Sequence, residues 1–199
     1  MPPGSAVRAG RLFVISGPSG VGKGTVVRRL LEVRPGLAFS VSATTREPRP
    51  GEIDGHHYRF VSDEEFDRMV EEGEFLEWAH IFGHRSGTPV RPVVEALGRG
   101  NDVILEIDVQ GASTIRGRLP EAVLVFLAPP SEEELARRLR ARGTEEGPDL
   151  ERRLAEARRE MSQADWFDHV VVNDQVEEAV AEVLAIIDAA RSPDEKEQT

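Results

Sequence analysis

The chain of 199 residues has no cysteine, a single tyrosine and no apolar run of membrane-spanning length. Without cysteine there is no disulfide framework, and the expected setting is cytoplasmic. A transmembrane helix needs roughly 18 or more consecutive apolar residues, so no membrane partner is expected. Basic excess is missing as well: 25 Lys and Arg stand against 36 Asp and Glu, a net charge of −11. That balance argues against a general nucleic-acid or membrane-surface binder. Met1 to Arg11 lacks the apolar stretch of a signal peptide, so residues 1–10 are expected to form a loose arm and Ser192 to Thr199 a loose tail.

With 39% hydrophobic residues the chain can build a sizeable core, and its length suits one α/β domain with insertions. Strand-like runs fall at Leu12–Ser16, Ala38–Val41, Val103–Ile107, Val123–Leu127 and Val170–Val172. The last three are continuously apolar and β-branched, as in parallel strands covered on both faces. Helical spacing separates them, and Ser62-x-x-Glu65 and Ser131-x-x-Glu134 have the form of capping boxes. This alternation predicts a doubly wound sheet. Two stretches interrupt it. Residues 46–92 mix turns, short strand-like pieces (His57 to Val61, Phe75 to Trp78) and a short helix. Arg137 to Glu160 is a charged helical pair broken at Gly143 to Pro148, a candidate lid.

The chemistry begins at Gly17-Pro18-Ser19-Gly20-Val21-Gly22-Lys23-Gly24-Thr25, between the first apolar run and a helical stretch. G-x-x-x-x-G-K in that context is a phosphate-binding loop. Its glycines let backbone N–H groups turn toward an anion, the helix N-terminus adds its positive end, and Lys23 can reach β- and γ-phosphates. The usual Ser or Thr after the lysine, whose hydroxyl ligates Mg²⁺, is here Gly24. Either Thr25 reaches the ion, or water and phosphates hold it. The Gly-Lys-Gly-Thr ending is similar to that of adenylate kinases.

A phosphate loop does not name the acceptor. The stretch Ser40-Val41-Ser42-Ala43-Thr44-Thr45-Arg46-Glu47-Pro48-Arg49-Pro50-Gly51-Glu52, with Gly55-His56-His57-Tyr58, closely resembles guanylate kinases. The likeness continues through Glu77-Trp78-Ala79, Gly87-Thr88, Ile107-Asp108-Val109-Gln110-Gly111, Leu127-Ala128-Pro129-Pro130-Ser131, Arg142-Gly143-Thr144-Glu145 and Val171-Val172-Asn173-Asp174, covering essentially Leu12 to Arg191. The resemblance implies a P-loop kinase core (11–45, 93–130, 165–191), a GMP-binding insertion (46–92) and a helical lid (131–164). It also implies ATP and GMP or dGMP as substrates, Mg²⁺ as cofactor and a place in purine nucleotide metabolism.

On that resemblance Arg46, Arg49, Tyr58 and the position of Ser86 hold the GMP phosphate, which guanidinium forks and a phenol can do by charge-assisted hydrogen bonds. Glu77 and Asp108 read the guanine donors, with Ser42 and Thr88 contacting the base. A buried carboxylate facing adenine would meet an acceptor instead, so it selects guanine. Asp108 also ends the apolar run 103–107, at the strand edge where open α/β sheets bind ligands. Glu106, where the family usually has Asp, is expected near the Mg²⁺–phosphate cluster with Thr25. By resemblance Arg138, Arg142 and Arg153 reach the phosphates from the lid beside the catalytic Lys23 and Arg46, and Asn173 contacts adenine.

One departure affects the acceptor phosphate. Many guanylate kinases carry Tyr-Tyr-Gly where this chain has Arg85-Ser86-Gly87, so either Ser86 makes a shorter contact or Arg85 supplies a cation. Two other functions compete. A different monophosphate kinase would use AMP. A catalytically dead interaction module, which binds phosphorylated peptides at its former GMP site, would typically show a damaged phosphate loop, whereas Lys23 is intact here. His56 and His57 have no partner at a metal-ligand spacing and are expected to be ordinary turn residues.

Overall fold

The computed structural model describes residues 9–81, 83–141 and 148–191; Arg142, the arm through residue 8 and the tail from 192 lie outside the described residues. The elements run β1 (Leu12–Ser16), α1 (Lys23–Val33), β2 (Leu37–Phe39), β3 (Ala43–Thr44), β4 (Arg59–Phe60), α2 (Asp63–Glu71), β5 (Phe75–Ile81), β6 (His84–Pro89), α3 (Val90–Gly98), β7 (Asp102–Glu106), α4 (Val109–Arg118), β8 (Val123–Ala128), α5 (Glu132–Ala141), α6 (Pro148–Met161), β9 (His169–Val172) and α7 (Val176–Arg191). A parallel five-stranded sheet has the order β2-β7-β1-β8-β9, and a separate mixed sheet the order β4-β3-β6-β5. The chain is α/β, as its alternating pattern predicts.

The chain divides into two compact units, Met1–Leu12 with Gly36–Leu105 and Gln110–Ala122, and Phe13–Pro35 with Glu106–Val109 and Val123–Thr199. In the second, β1 pairs in parallel with β8 (Ile15 opposite Val125) and β8 with β9 (Leu127 opposite Val171). Phe13, Ile15, Leu124, Phe126 and Leu127 are fully buried there, and Ile187 of α7 with them. Each such side chain contributes about 1.5–3 kcal/mol of transfer free energy, which is why an unbroken apolar run makes a strand that can only be central.

The first unit has its own small core of Ala43, Phe66, Met69 and Phe75, with the Phe66 and Phe75 rings stacked at 4.6 Å. Ser62 caps α2, its hydroxyl accepting the Glu65 N–H at 3.1 Å, and Ser131 caps α5 through Glu134 N–H at 3.2 Å. Both helix starts agree with the capping boxes in the sequence. No helix of the described residues is long and apolar enough to cross a membrane.

Candidate active site

The loop Gly17–Gly22 joins the end of β1 to Lys23, the first residue of α1. Its bend depends on glycine at two decisive points. Gly17 has φ 138°, and a Cβ there would lie 2.2 Å from the Leu127 carbonyl oxygen; Gly22 has φ 99°, and a Cβ would lie 2.7 Å from Asn173 Nδ2. Neither position admits a side chain. Lys23 Nζ folds back over the loop, donating to Gly17 O at 2.5 Å and Pro18 O at 3.3 Å.

Two side chains brace this loop from behind. Asn173, at the end of β9 and 2% exposed, donates through Nδ2 to Val21 O at 2.8 Å, while its Oδ1 is buried without a protein partner. Arg138 of α5 donates to Val21 O at 3.2 Å, Asn173 O at 2.9 Å and, through Nε, Glu134 at 2.7 Å. Arg138 thus links α5 to the phosphate loop and to the end of β9. Arg153, on α6, is half-buried, and Asp108 and Glu106 lie half-buried in the segment that ends β7.

Gly24 sits next to Glu106: a Cβ at 24 would lie 3.5 Å from each of the Glu106 carboxylate oxygens, in ordinary contact. The longer arm of Glu106 therefore reaches the start of α1, beside the position that usually bears a metal-binding hydroxyl. Thr25, one residue on, is exposed. No cluster of three or more His, Cys, Asp or Glu that could hold a metal occurs among the described residues. The Glu106 carboxylate beside the start of α1 is a donor of the kind Mg²⁺ takes, one or two carboxylates with water and phosphate completing the shell.

In the other unit, Arg46 forms a bidentate pair with Glu52 (2.8 and 2.9 Å) and stacks over the Tyr58 ring, its guanidinium carbon 5.2 Å from the centroid. The Arg49 backbone N–H donates to the same carboxylate at 2.7 Å. Burial pushes the Glu52 carboxyl up, but Arg46 and the Arg49 N–H outweigh it and hold it below its ordinary value. The Arg46 guanidinium and the Arg49 N–H thus converge on one carboxylate. Glu52 was legible only as one acid in a charged turn.

Glu77 of β5 and Thr88 of β6 are 4% and 0% exposed, and the Thr88 hydroxyl donates to Glu77 Oε1. Ser42 is buried in the same unit, and the half-buried Ser86 donates to Ala43 O at 3.2 Å. Arg85, of the Arg-Ser-Gly departure, is engaged within its own unit. Its guanidinium pairs with Asp63 (2.7 Å) and Asp67 of α2 and lies 4.7 Å over the Phe66 ring. These contacts clamp it to α2. His57 Nδ1 accepts the Ile53 N–H at 3.1 Å, an ordinary turn contact.

A model of the guanylate kinase family matches residues 9–190. A guanylate kinase of Nocardia farcinica is 56% identical over 93% of this chain and 97% of its own length, and one of Thermobifida fusca 55% identical over 90% and 91%. Among solved structures, a guanylate kinase of Anaplasma phagocytophilum matches with a TM-score of 0.79 at 34% identity, covering 94% of this chain and 89% of that one.

Proposed function

The chain belongs to the guanylate kinase family, ATP-dependent enzymes that phosphorylate GMP, and we propose how its own residues divide that work. The phosphate loop with Lys23 holds the ATP phosphates, Asn173 accepts from the adenine through its unpartnered Oδ1, and Arg153 adds charge from the lid. Arg138, which in this structure donates to Val21 O, and Arg142 reach the phosphates from the same side. Arg46, Arg49, Tyr58 and Ser86 receive the GMP phosphate; Glu77, Asp108, Ser42 and Thr88 read the guanine. Residues 46–92 and 131–164 act as the moving parts, and the setting is cytoplasmic. The observation that carries the reading is a phosphate loop whose conformation only glycine permits, with its lysine in place.

The reaction is in-line transfer of the γ-phosphoryl of ATP to an oxygen of the GMP phosphate. That oxygen is already ionised near neutral pH, so no general base is required. Two anions must instead be brought together with water kept out, and positioning with preorganised positive charge does this. Lys23 and the arginines supply the charge on the protein side. Glu106, with Thr25, is the residue that would hold Mg²⁺, which neutralises developing charge on the phosphates when bound.

A coupled ADP-release assay with Mg·ATP and GMP, beside AMP and no-acceptor controls, tests the reading. Rapid turnover with GMP alone is expected. Turnover with AMP would overturn the base-pocket roles, and ATP binding without turnover on any acceptor would favour an interaction module.

A further inference from the structure

The helix α6 carries a carboxylate that none of the roles above uses. Glu160, in its last turn, accepts the Ser19 backbone N–H on Oε2 at 3.4 Å. Ser19 belongs to the phosphate loop, whose inward amides are built for an anion. Three charged groups act on Glu160: Lys23 of α1, Asp108 after β7, and Glu156 one turn earlier on α6. Burial pushes its carboxyl up most; Lys23 and the Ser19 N–H pull down, Asp108 and Glu156 push up, and the result is about 7.

A loop amide donates to one acceptor at a time, a carboxyl oxygen or a phosphate oxygen. Lys23 is the residue that reaches β- and γ-phosphates, so a carboxyl within its field stands at the triphosphate end of the loop. We infer that Glu160 is an internal occupant of that end, displaced by the phosphates when ATP binds. The inference rests on the reading of Gly17–Thr25 as the ATP site. It gives α6 a physical link to the state of the loop. With the loop empty, Glu160 tethers the helix to Ser19; with the loop filled, that tether is gone. The covalent chemistry is untouched, and only a proton changes hands: the carboxyl, held largely protonated below neutrality, gives its proton to solvent when it moves into water.

The test is calorimetric titration of Mg·ATP into the full chain at pH 6 and pH 8, each in two buffers of different ionisation enthalpy. Wild type is compared with Glu160→Gln and Glu160→Ala, each confirmed folded by thermal melting. With a carboxyl near 7 before binding and at an ordinary glutamate value after it, wild type releases more protons than the Gln variant at pH 6, and the excess shrinks at pH 8. The Ala variant, with nothing to displace, binds ATP about 3- to 10-fold more tightly at pH 6, the worth of one hydrogen bond.

Equal proton counts in wild type and the Gln variant overturn the inference. So does proton uptake by wild type relative to the Gln variant at pH 8, which would mean that the carboxyl stays beside the phosphates. Should the Ala variant not fold, the proton counts of wild type and the isosteric Gln variant decide alone. Failure of wild type to bind ATP at all would remove the reading of the loop together with this inference, whereas binding with equal proton counts removes the inference alone.

Discussion

The Thr88 hydroxyl donates to Glu77 Oε1 at 2.5 Å, and the two residues are registered partners on the antiparallel strands β6 and β5. Both are buried, so the hydroxyl offsets part of the cost of holding a carboxylate away from water. Replacing Thr88 by Val takes that donor away and leaves an acid under-satisfied. Thr88→Val is expected to lower folding stability by about 1–3 kcal/mol, read by urea denaturation. Glu77→Gln keeps an oxygen for Thr88 but loses the charge that guanine's N–H groups would meet. It should fold normally and lose roughly 10²-fold in kcat/KM for GMP. Unchanged kcat/KM would remove Glu77 from the base pocket.

Arg46 and Glu52 make a second prediction, on pH. The carboxyl of Glu52 is held below its ordinary value, so its pairing stabilises the folded chain at and above that ordinary value. The contribution is lost as pH falls through the lowered folded value. Thermal melts from pH 8 to pH 3 should therefore show wild type losing its advantage over Glu52→Gln in the acid range, with no convergence above pH 6. A constant difference across the whole range would show that the pair does not titrate as drawn.

How far these features were legible depends on how local their signals are. The loop from β1 into α1 was fully readable, because positive φ and phosphate approach demand glycine at set intervals. Ser62 and Ser131 announced their helices for the same reason: a cap is a contact over three residues. Helix α3 gave no such notice, since Pro89 and Pro92 bracket its first turn and resemble a turn signal, although proline is tolerated there. Gly111 and Gly117 masked α4, and Gly87 with Pro89 masked β6. Glu52 and Glu160 were hidden differently. Both sit in charged stretches, and only folding shows that one faces Arg46 and the other Ser19.

The clamp made by Arg85 separates two readings of the Arg-Ser-Gly departure by experiment. Arg85→Ala removes the stacking on Phe66 and the pairs to Asp63 and Asp67, at an expected cost of about 1–2 kcal/mol in stability. The KM for GMP should stay within about threefold, a change worth under 1 kcal/mol. A rise of 10²-fold or more with stability unchanged would make Arg85 a phosphate ligand after all.

Lys23 bears the sharpest catalytic expectation. Its amine already leans over Gly17 and Pro18, so a methionine can occupy much the same space without the charge. Lys23→Met is expected to lower kcat by on the order of 10²–10³ or more, the scale seen when one preorganised electrostatic contact is lost. Near-normal turnover would sink the assignment of Lys23.

Gly24 offers a test that adds rather than removes. Its φ is not in the left-handed range, and a Cβ would meet only the Glu106 carboxylate, at ordinary contact distance. Serine therefore fits, and in α1 it spares part of the entropic cost of glycine, which is about 0.5–1 kcal/mol relative to alanine. Its hydroxyl would also stand beside Glu106, where a metal-binding hydroxyl sits in most phosphate loops. Gly24→Ser should thus be at least as stable as wild type and should reach half-maximal activity at a lower Mg²⁺ concentration. If stability rises but the Mg²⁺ dependence does not move, Glu106 and position 24 lie outside the ion's reach, and the ion rests on phosphate and water alone.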